Sequence, residues 1–322
     1  MRPLGGHTAG LSPDAVKTSI DGVLFEKFNR EMNPGYLAAA NEFFFRTEPL
    51  EKLAFIWDED AGVPNFQKTG EQEDILPVDT FIGNQKTKFS QKYTSQVPVS
   101  DEAFRADYVG KREAIGRQQG EAARRTQDQE AILNTYGDAF DGAVNKTPDG
   151  QNLASNSHVT LRGATVDNLE TGLLSPDNLW TQTVSLAGQK GQSGDLGGHV
   201  FAGWVGPFLL YKTAKEVMNS SLLANSAENN LNVFDTDYGE VRIAASQFLG
   251  SAFNGNSNAN TSYHLVSENH MIVRKVFYGA ETTLIPPEVT DNDSWAYRVK
   301  FHEVAFPGSW TGYVGSSGSA AS

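Results

Sequence analysis

The stretch Val97-Pro98-Val99-Ser100-Asp101-Glu102-Ala103-Phe104 opens the longest patterned run in the chain. That run continues to Asp128-Gln129-Glu130-Ala131-Ile132-Leu133-Asn134-Thr135-Tyr136. Ser100 can cap a helix, because its hydroxyl accepts from free first-turn amides. Asp101 and Glu102 place negative charge at the positive helix end. Phe104, Tyr108, Ile115, Ala122, Gln129, Leu133 and Tyr136 then recur every three, four or seven residues, which predicts one narrow, modestly apolar helical stripe. Unbroken from Asp101 to Tyr136, the helix would be roughly 50 Å long. Gly110, Gly116 and Gly120 each cost about 1 kcal/mol relative to Ala, so the alternative is a helix kinked or broken near Gly110 or Gly116. Arg112, Arg117, Arg124 and Arg125 stand among Glu113, Glu121, Asp128 and Glu130. Such a helix is too polar for a buried core and too poor in large apolar residues for a coiled coil. It reads as a strut across a subunit, with small residues where other segments pass close.

Around this strut the chain has 322 residues, enough for two or three structural regions. No apolar run approaches the roughly 20 residues of a membrane span, and the start carries no apolar segment like a signal peptide. Cysteine is absent, so disulfides and thiolate metal sites are excluded. A net charge of −13 speaks against tight nonspecific binding to nucleic acid and favours solubility at high concentration.

Upstream, Ser12-Pro13-Asp14 opens a helix with Ser as cap and Pro at the first helical position; Val16, Ile20, Val23, Leu24 and Phe28 give it an apolar face. A second short helix is expected through Leu37 to Phe45, and Phe43-Phe44-Phe45 suggests an arm packing on something, such as another subunit. Ala54 to Trp57 is strand-like and Asp58 to Gly62 a turn. Val63 to Gln85 is too polar to own a core and too long for an ordinary loop. It reads as an extended hairpin, with a disordered loop as the alternative. Lys86 to Val99 alternates with period two, placing Phe89, Gln91, Tyr93, Ser95, Val97 and Val99 on one face of a strand.

Downstream, Lys146-Thr147-Pro148-Asp149-Gly150 is a turn signal. Ser175-Pro176-Asp177 starts a helix carrying Leu179, Trp180, Val184 and Leu186, and Gln189 to Gly198 is a Gly/Ser-rich loop. Phe208 to Tyr211 reads as a short buried strand, Ala214 to Ala224 as a helix and Asn225 to Asn232 as a turn. Strands are expected at Glu240 to Phe248, Ser262 to Val266, Ile272 to Ala280 and Tyr297 to Phe306. The Gly/Ser/Ala tail from Gly315 to Ser322 should be disordered unless a neighbour orders it.

No catalytic apparatus emerges. None of His7, His158, His199, His264, His270 and His302 forms a His-Glu-x-x-His pair. Asp235-Thr236-Asp237 and Asp291-Asn292-Asp293 lack the rest of a calcium loop. No phosphate loop or Gly-x-Ser-x-Gly elbow is present. A pocket lined by His264, Glu268 and His270 would instead mark a soluble α/β enzyme or ligand-binding protein. No cofactor is expected.

The text from Lys92 to Asn134, with Tyr93-Thr94-Ser95-Gln96-Val97-Pro98-Val99-Ser100 leading into the long helix, resembles the spine-helix region of tailed-phage major capsid proteins of the HK97 fold. The order of elements is similar too. The resemblance implies an α+β fold with an N-terminal helical arm (1–52), an E-loop hairpin with its flanking strands (53–96) and a peripheral domain with the spine helix (97–170). A mainly axial domain (171–275) and returning strands with the C-terminal tail (276–322) complete it. It implies a non-catalytic head protein, found in the virion and assembled in the host cytoplasm as hexamers and pentamers of an icosahedral shell. The implied partners are a portal, scaffolding or decoration proteins, and double-stranded DNA held by weak contact. An encapsulin-like compartment is the alternative, since encapsulins share the fold. The expected inter-subunit contact sets the hairpin's Lys68, Glu71, Glu73, Asp74 and Asp79 against spine-helix arginines Arg112, Arg117, Arg124 and Arg125 of a neighbour. Pairing of those arginines with Glu113, Glu121 and Asp128 on their own helix is the competing reading.

Overall fold

A computed structural model of the chain describes residues 16–23, 36–64, 82–105, 110–220, 232–237, 241–255, 259–287 and 294–319. The hairpin tip with Lys68, Glu71, Glu73, Asp74 and Asp79 lies outside these, as do Leu24, Phe28 and nearly all of the Asn-rich turn.

Two sheets organise the molecule. In the first, β1 (Arg46–Pro49), β11 (Ile272–Ile285), β12 (Ser294–Pro307) and β4 (Gln91–Ser100) lie side by side in that order. β1 runs parallel to β11, and the remaining pairs are antiparallel. In the second, the order is β7 (Leu169–Glu170), β13 (Tyr313–Ser316), β10 (Tyr263–Ser267), β8 (Phe201–Pro207) and β9 (Arg242–Ser246). β8 and β9 are parallel and need a crossover, which contains the helix α5 (Tyr211–Met218). β5 (His158–Val159) and β6 (Thr165–Val166) form a short ladder. Among the described residues, β2 (Ala54–Asp60) and β3 (Ile82–Phe89) pair only with each other. Phe44, Phe45, Tyr136, Val205, Val266, Ile272 and Tyr313 form the core where the two sheets meet.

The long helix is divided. α2 (Asp101–Arg105) starts where predicted, with the Ala103 amide donating to Ser100 Oγ at 3.3 Å. Gly110 then takes a left-handed φ of 66°, and α3 (Lys111–Ile132) begins after it. A π-turn over Leu133–Gly137 ends it. The break at Gly110 is thus the one that glycine permits. The buried face of α3 is not the expected apolar stripe. It comprises Gly116, Gln119, Gly120, Ala123, Gln127, Asp128, Ala131 and Ile132, while Ile115, Ala122 and Gln129 are half-buried. Small and amide side chains win because the helix lies close against two neighbours. Val16 and Ile20 of the helix at 16–23 (α1) sit on Gly116, and Val23 sits on Gly120. Gln119 Nε2 donates to the Tyr297 carbonyl of β12 at 3.1 Å.

Several local expectations fail for tertiary reasons. Leu37 to Phe45 is a series of turns, not a helix. Its amides are captured by distant acceptors, Leu37 by the Ala245 carbonyl and Ala39 by Asp128. Phe44 and Phe45 are buried in their own subunit's core. Asp58 to Asp60 continue β2 and do not turn. Lys86 to Val99 is two strands in different sheets, and Phe89 is exposed. α4 (Pro176–Ala187) is capped by Ser175 as read, but it buries Leu179 and Leu186 and leaves Trp180 and Val184 exposed. Phe208 to Leu210 is an exposed 3-10 turn after Pro207, and the buried strand is β8 just before it. The tail enters the second sheet as β13, fully buried to Ser316. A Cβ at Gly315 would lie 2.7 Å from Tyr313 Oη and 2.9 Å from Ala154 Cβ, so the small residues serve close packing.

Candidate assembly surface

The β2–β3 hairpin stem shows how a strand pair can serve two surfaces. Alternation along β2 turns Phe55, Trp57 and Glu59 inward and Ala54, Ile56 and Asp58 outward. Inside, Trp57 Nε1 donates to the Gly308 carbonyl at 2.8 Å, and the ring meets Phe306 edge-on at 5.3 Å. Gly308 is needed there, because a Cβ would sit 2.7 Å from the indole. Lys275 Nζ lies 5.1 Å from the rings of both Phe55 and Trp57, a cation–π contact. On β3, Lys88 Nζ donates to Asn145 Oδ1 at 2.7 Å, and burial pushes its ammonium down to about 8. Lys86 and Lys88 line a cleft of about 280 Å³ with Tyr93, Glu130, Asn145 and Glu303.

The outward face carries bare apolar side chains among polar ones. Ile56 is 62% exposed, Phe89 65% and Ile82 63%. Ala54 lies directly opposite Phe89 and Ile56 opposite Thr87, so this is one side of one ribbon. The sequence reading missed these residues. Their signal was the unbroken apolar run from Leu53 to Trp57, which alternation divides between two faces.

The spine-helix arginines separate. Arg124 pairs with Asp128 at 3.5 Å and stacks over Tyr36 at 5.3 Å. Asp128 also accepts from Ala39 N at 2.9 Å and Tyr36 Oη at 3.1 Å, which fastens the arm to α3. Burial raises the Asp128 carboxyl above its usual range despite these donors. Arg117 and Arg125 are exposed, and the Arg112 side chain lies outside the described set.

His264 and His270 do not build a pocket. His264 Nδ1 meets Tyr313 Oη at 2.7 Å, and its ring stacks on Phe140 at 5.4 Å. His270 Nε2 donates to the Phe43 carbonyl at 2.6 Å, and Nδ1 accepts from Ile272 N at 3.2 Å. Both rings are held by structural contacts. Among the described residues no group of His, Cys, Asp and Glu could hold a metal ion, and no helix is long and apolar enough to cross a membrane.

A two-sheet body with a long helix and a projecting hairpin is the architecture of an HK97-fold shell subunit, and solved structures share it. One is the capsid of a native GTA particle (TM-score 0.57, 10% identity, covering 91% of this chain and 94% of that one). Another is a virus-like particle from Pyrococcus furiosus (0.51, 11%, 92% and 98%). A third comes from Mycobacterium phage Adephagia (0.50, 13%, 86% and 89%). At such identities they establish the fold alone. The family model for phage capsid protein matches residues 85–315, well over half of the chain, and the chain belongs to that family. It is a major capsid protein, a non-enzymatic structural protein of the virion that forms an icosahedral shell. The family match favours this reading over the encapsulin-like compartment, which the fold alone leaves level. No curated protein matches the sequence.

Proposed function

We propose that the hairpin is the clasp between neighbouring subunits, and that clasped subunits form the hexamers and pentamers of a shell enclosing double-stranded DNA. The carrying observation is the β2–β3 ribbon, whose inner face is filled by its own body while Ile56, Ile82 and Phe89 stand exposed on the other face or at its rim. An isolated two-stranded hairpin is marginal in water, and an exposed apolar ribbon is an association site unless something covers it. In a closed symmetric shell every copy offers the same acceptor, so one contact repeats around the lattice.

In this reading the first sheet with α3 is the peripheral domain, and the second sheet with α4 and α5 is the axial domain. The acidic tip residues Glu71, Glu73, Asp74 and Asp79, with Lys68 among them, face a neighbour's spine helix. Arg117 and Arg125 are the acceptors there, with Arg112 beside them, because Arg124 is committed to Asp128 within its own subunit. Contact with packaged DNA is weak and salt-sensitive through the same few arginines. Assembly takes place in the host cytoplasm, and a portal and scaffolding or decoration proteins are further partners.

Replacing Pro64 to Pro77 by a short Gly/Ser turn tests the clasp. The variant should stay soluble with unchanged helical circular dichroism and form no shells by negative-stain imaging. Shells of normal size and stability would rule the clasp out.

A further inference from the structure

Lys88 carries a charge without a counter-charge. Its side chain is 7% exposed. The ammonium lies 5.1 Å from the centre of the Phe306 ring and donates to Asn145 Oδ1 at 2.7 Å. Both partners are neutral. Among the described residues no carboxylate forms an ion pair with it, whereas Arg274, buried to a similar degree, has Glu303. An ammonium has three donors, so two remain after Asn145. Burying such a group unpaired is costly. Lys86 lies two residues away on the same face of β3. It too meets a neutral acceptor, the Lys146 carbonyl, at 2.9 Å. Both lysines line the cleft of about 280 Å³ between β3 and the end of α3.

We propose that this cleft is a binding site for a small oxyanion, a phosphate or a di- or tricarboxylate, which takes the free N–H donors of Lys88 and Lys86 and ties the hairpin root to the body. The volume falls just below the range of pockets for drug-sized ligands, so the ligand is small. The carboxylates nearby are already engaged. Glu130 accepts from Tyr93 Oη at 3.1 Å and Asn134 Nδ2 at 3.4 Å, and Glu303 is paired with Arg274. Asp138 accepts from the amides of Ala143, Val144 and Asn145, and Asp149 from His158. Burial lowers the Lys88 ammonium to about 8, with Lys86 adding to the fall and Asp138 opposing it. Lys86 is lowered by burial and by Lys146, with Asp149 opposing. Lys88 is therefore mostly charged at pH 7, and an anion in the cleft supplies the missing partner.

The test is calorimetric titration of the full-length protein with sulfate and with malonate at low, constant ionic strength. Sulfate stands for the tetrahedral anions and malonate for the carboxylates, and the tighter of the two assigns the class. Wild type at pH 7 should show one saturable site per chain. Lys88→Met should weaken it at least tenfold and Lys86→Met several-fold, while Lys212→Met, at an exposed lysine elsewhere, should leave it unchanged. Sulfate keeps its charge between pH 7 and 9, whereas Lys88 loses most of its own, so wild-type affinity for sulfate should fall about tenfold over that interval. This arm stands if Lys88→Met does not fold. No saturable binding of either anion, equal affinity in wild type and Lys88→Met, or equal affinity for sulfate at pH 7 and 9 overturns the site. Binding is read per chain and does not depend on the clasp, so the two fail separately.

Discussion

At the scale of single residues, the most consequential commitment is the ion pair of Arg274 and Glu303 on β11 and β12, with both side chains nearly buried. Gln127 Nε2 adds a 3.4 Å contact to the same carboxylate from α3. Burial raises the Glu303 carboxyl and Arg274 opposes the rise, with burial prevailing. Such a pair adds little over well-packed apolar residues, but losing one member strands the other. Arg274→Met should therefore cost about 3–5 kcal/mol. The double change Arg274→Met with Glu303→Leu should recover most of that loss in chemical denaturation. A single-variant loss below about 1 kcal/mol would mean that water reaches Glu303 and solvates it as it would a surface charge.

At the scale of elements, α3 sets propensity against packing. Replacing Gly120 by Ala should stabilise an isolated helix by about 1 kcal/mol. In the folded chain the new Cβ would lie 2.8 Å from Val23 Cγ1, and overpacking of this kind costs about 1–3 kcal/mol. Packing should win, so Gly120→Ala should lower the melting temperature and speed proteolysis of the arm around 16–23. A rise in melting temperature with an equally protected arm would mean that α1 shifts aside freely. At Gly116 the contacts are 3.0 Å to Ile20 Cγ1 and 3.1 Å to the Val16 carbonyl, so the effect should have the same sign and be smaller.

At the scale of the whole molecule, buried histidines set the acid limit. Burial lowers His199, His270 and His264, the last to about 3 from an ordinary 6.5. Above 6.5 both folded and unfolded chains hold His264 neutral. Below it only the unfolded chain takes up the proton, so stability falls by up to about 1.4 kcal/mol per pH unit until the folded value is reached. Glu59, Asp128 and Glu303, all raised, act in the opposite sense and favour the folded chain as pH falls. His264→Gln removes one titration and keeps an acceptor for Tyr313 Oη. Its melting temperature should start lower at pH 7 and drop less between pH 6 and 4 than that of the wild type. Parallel curves would show that His264 does not titrate in this range.

Local chemistry was legible in the sequence. The caps at Ser100 and Ser175, the turn at Thr147 to Gly150 and the strands around Ile272 and Phe301 follow from a few neighbouring residues. The tertiary structure alone decided what the small and the polar residues are for. Gly116 and Gly120 read as defects in a helix until α1 lies on them, and Gly315 reads as a loose tail until β7 and β10 flank it. Glu59 read as part of a turn until Gln192 met it from more than a hundred residues away. A side chain with no bulk or no apolar surface carries no local sign of its neighbour. Its role is set by which distant segment comes within van der Waals or hydrogen-bond reach, and the spacing along the chain does not contain that distance.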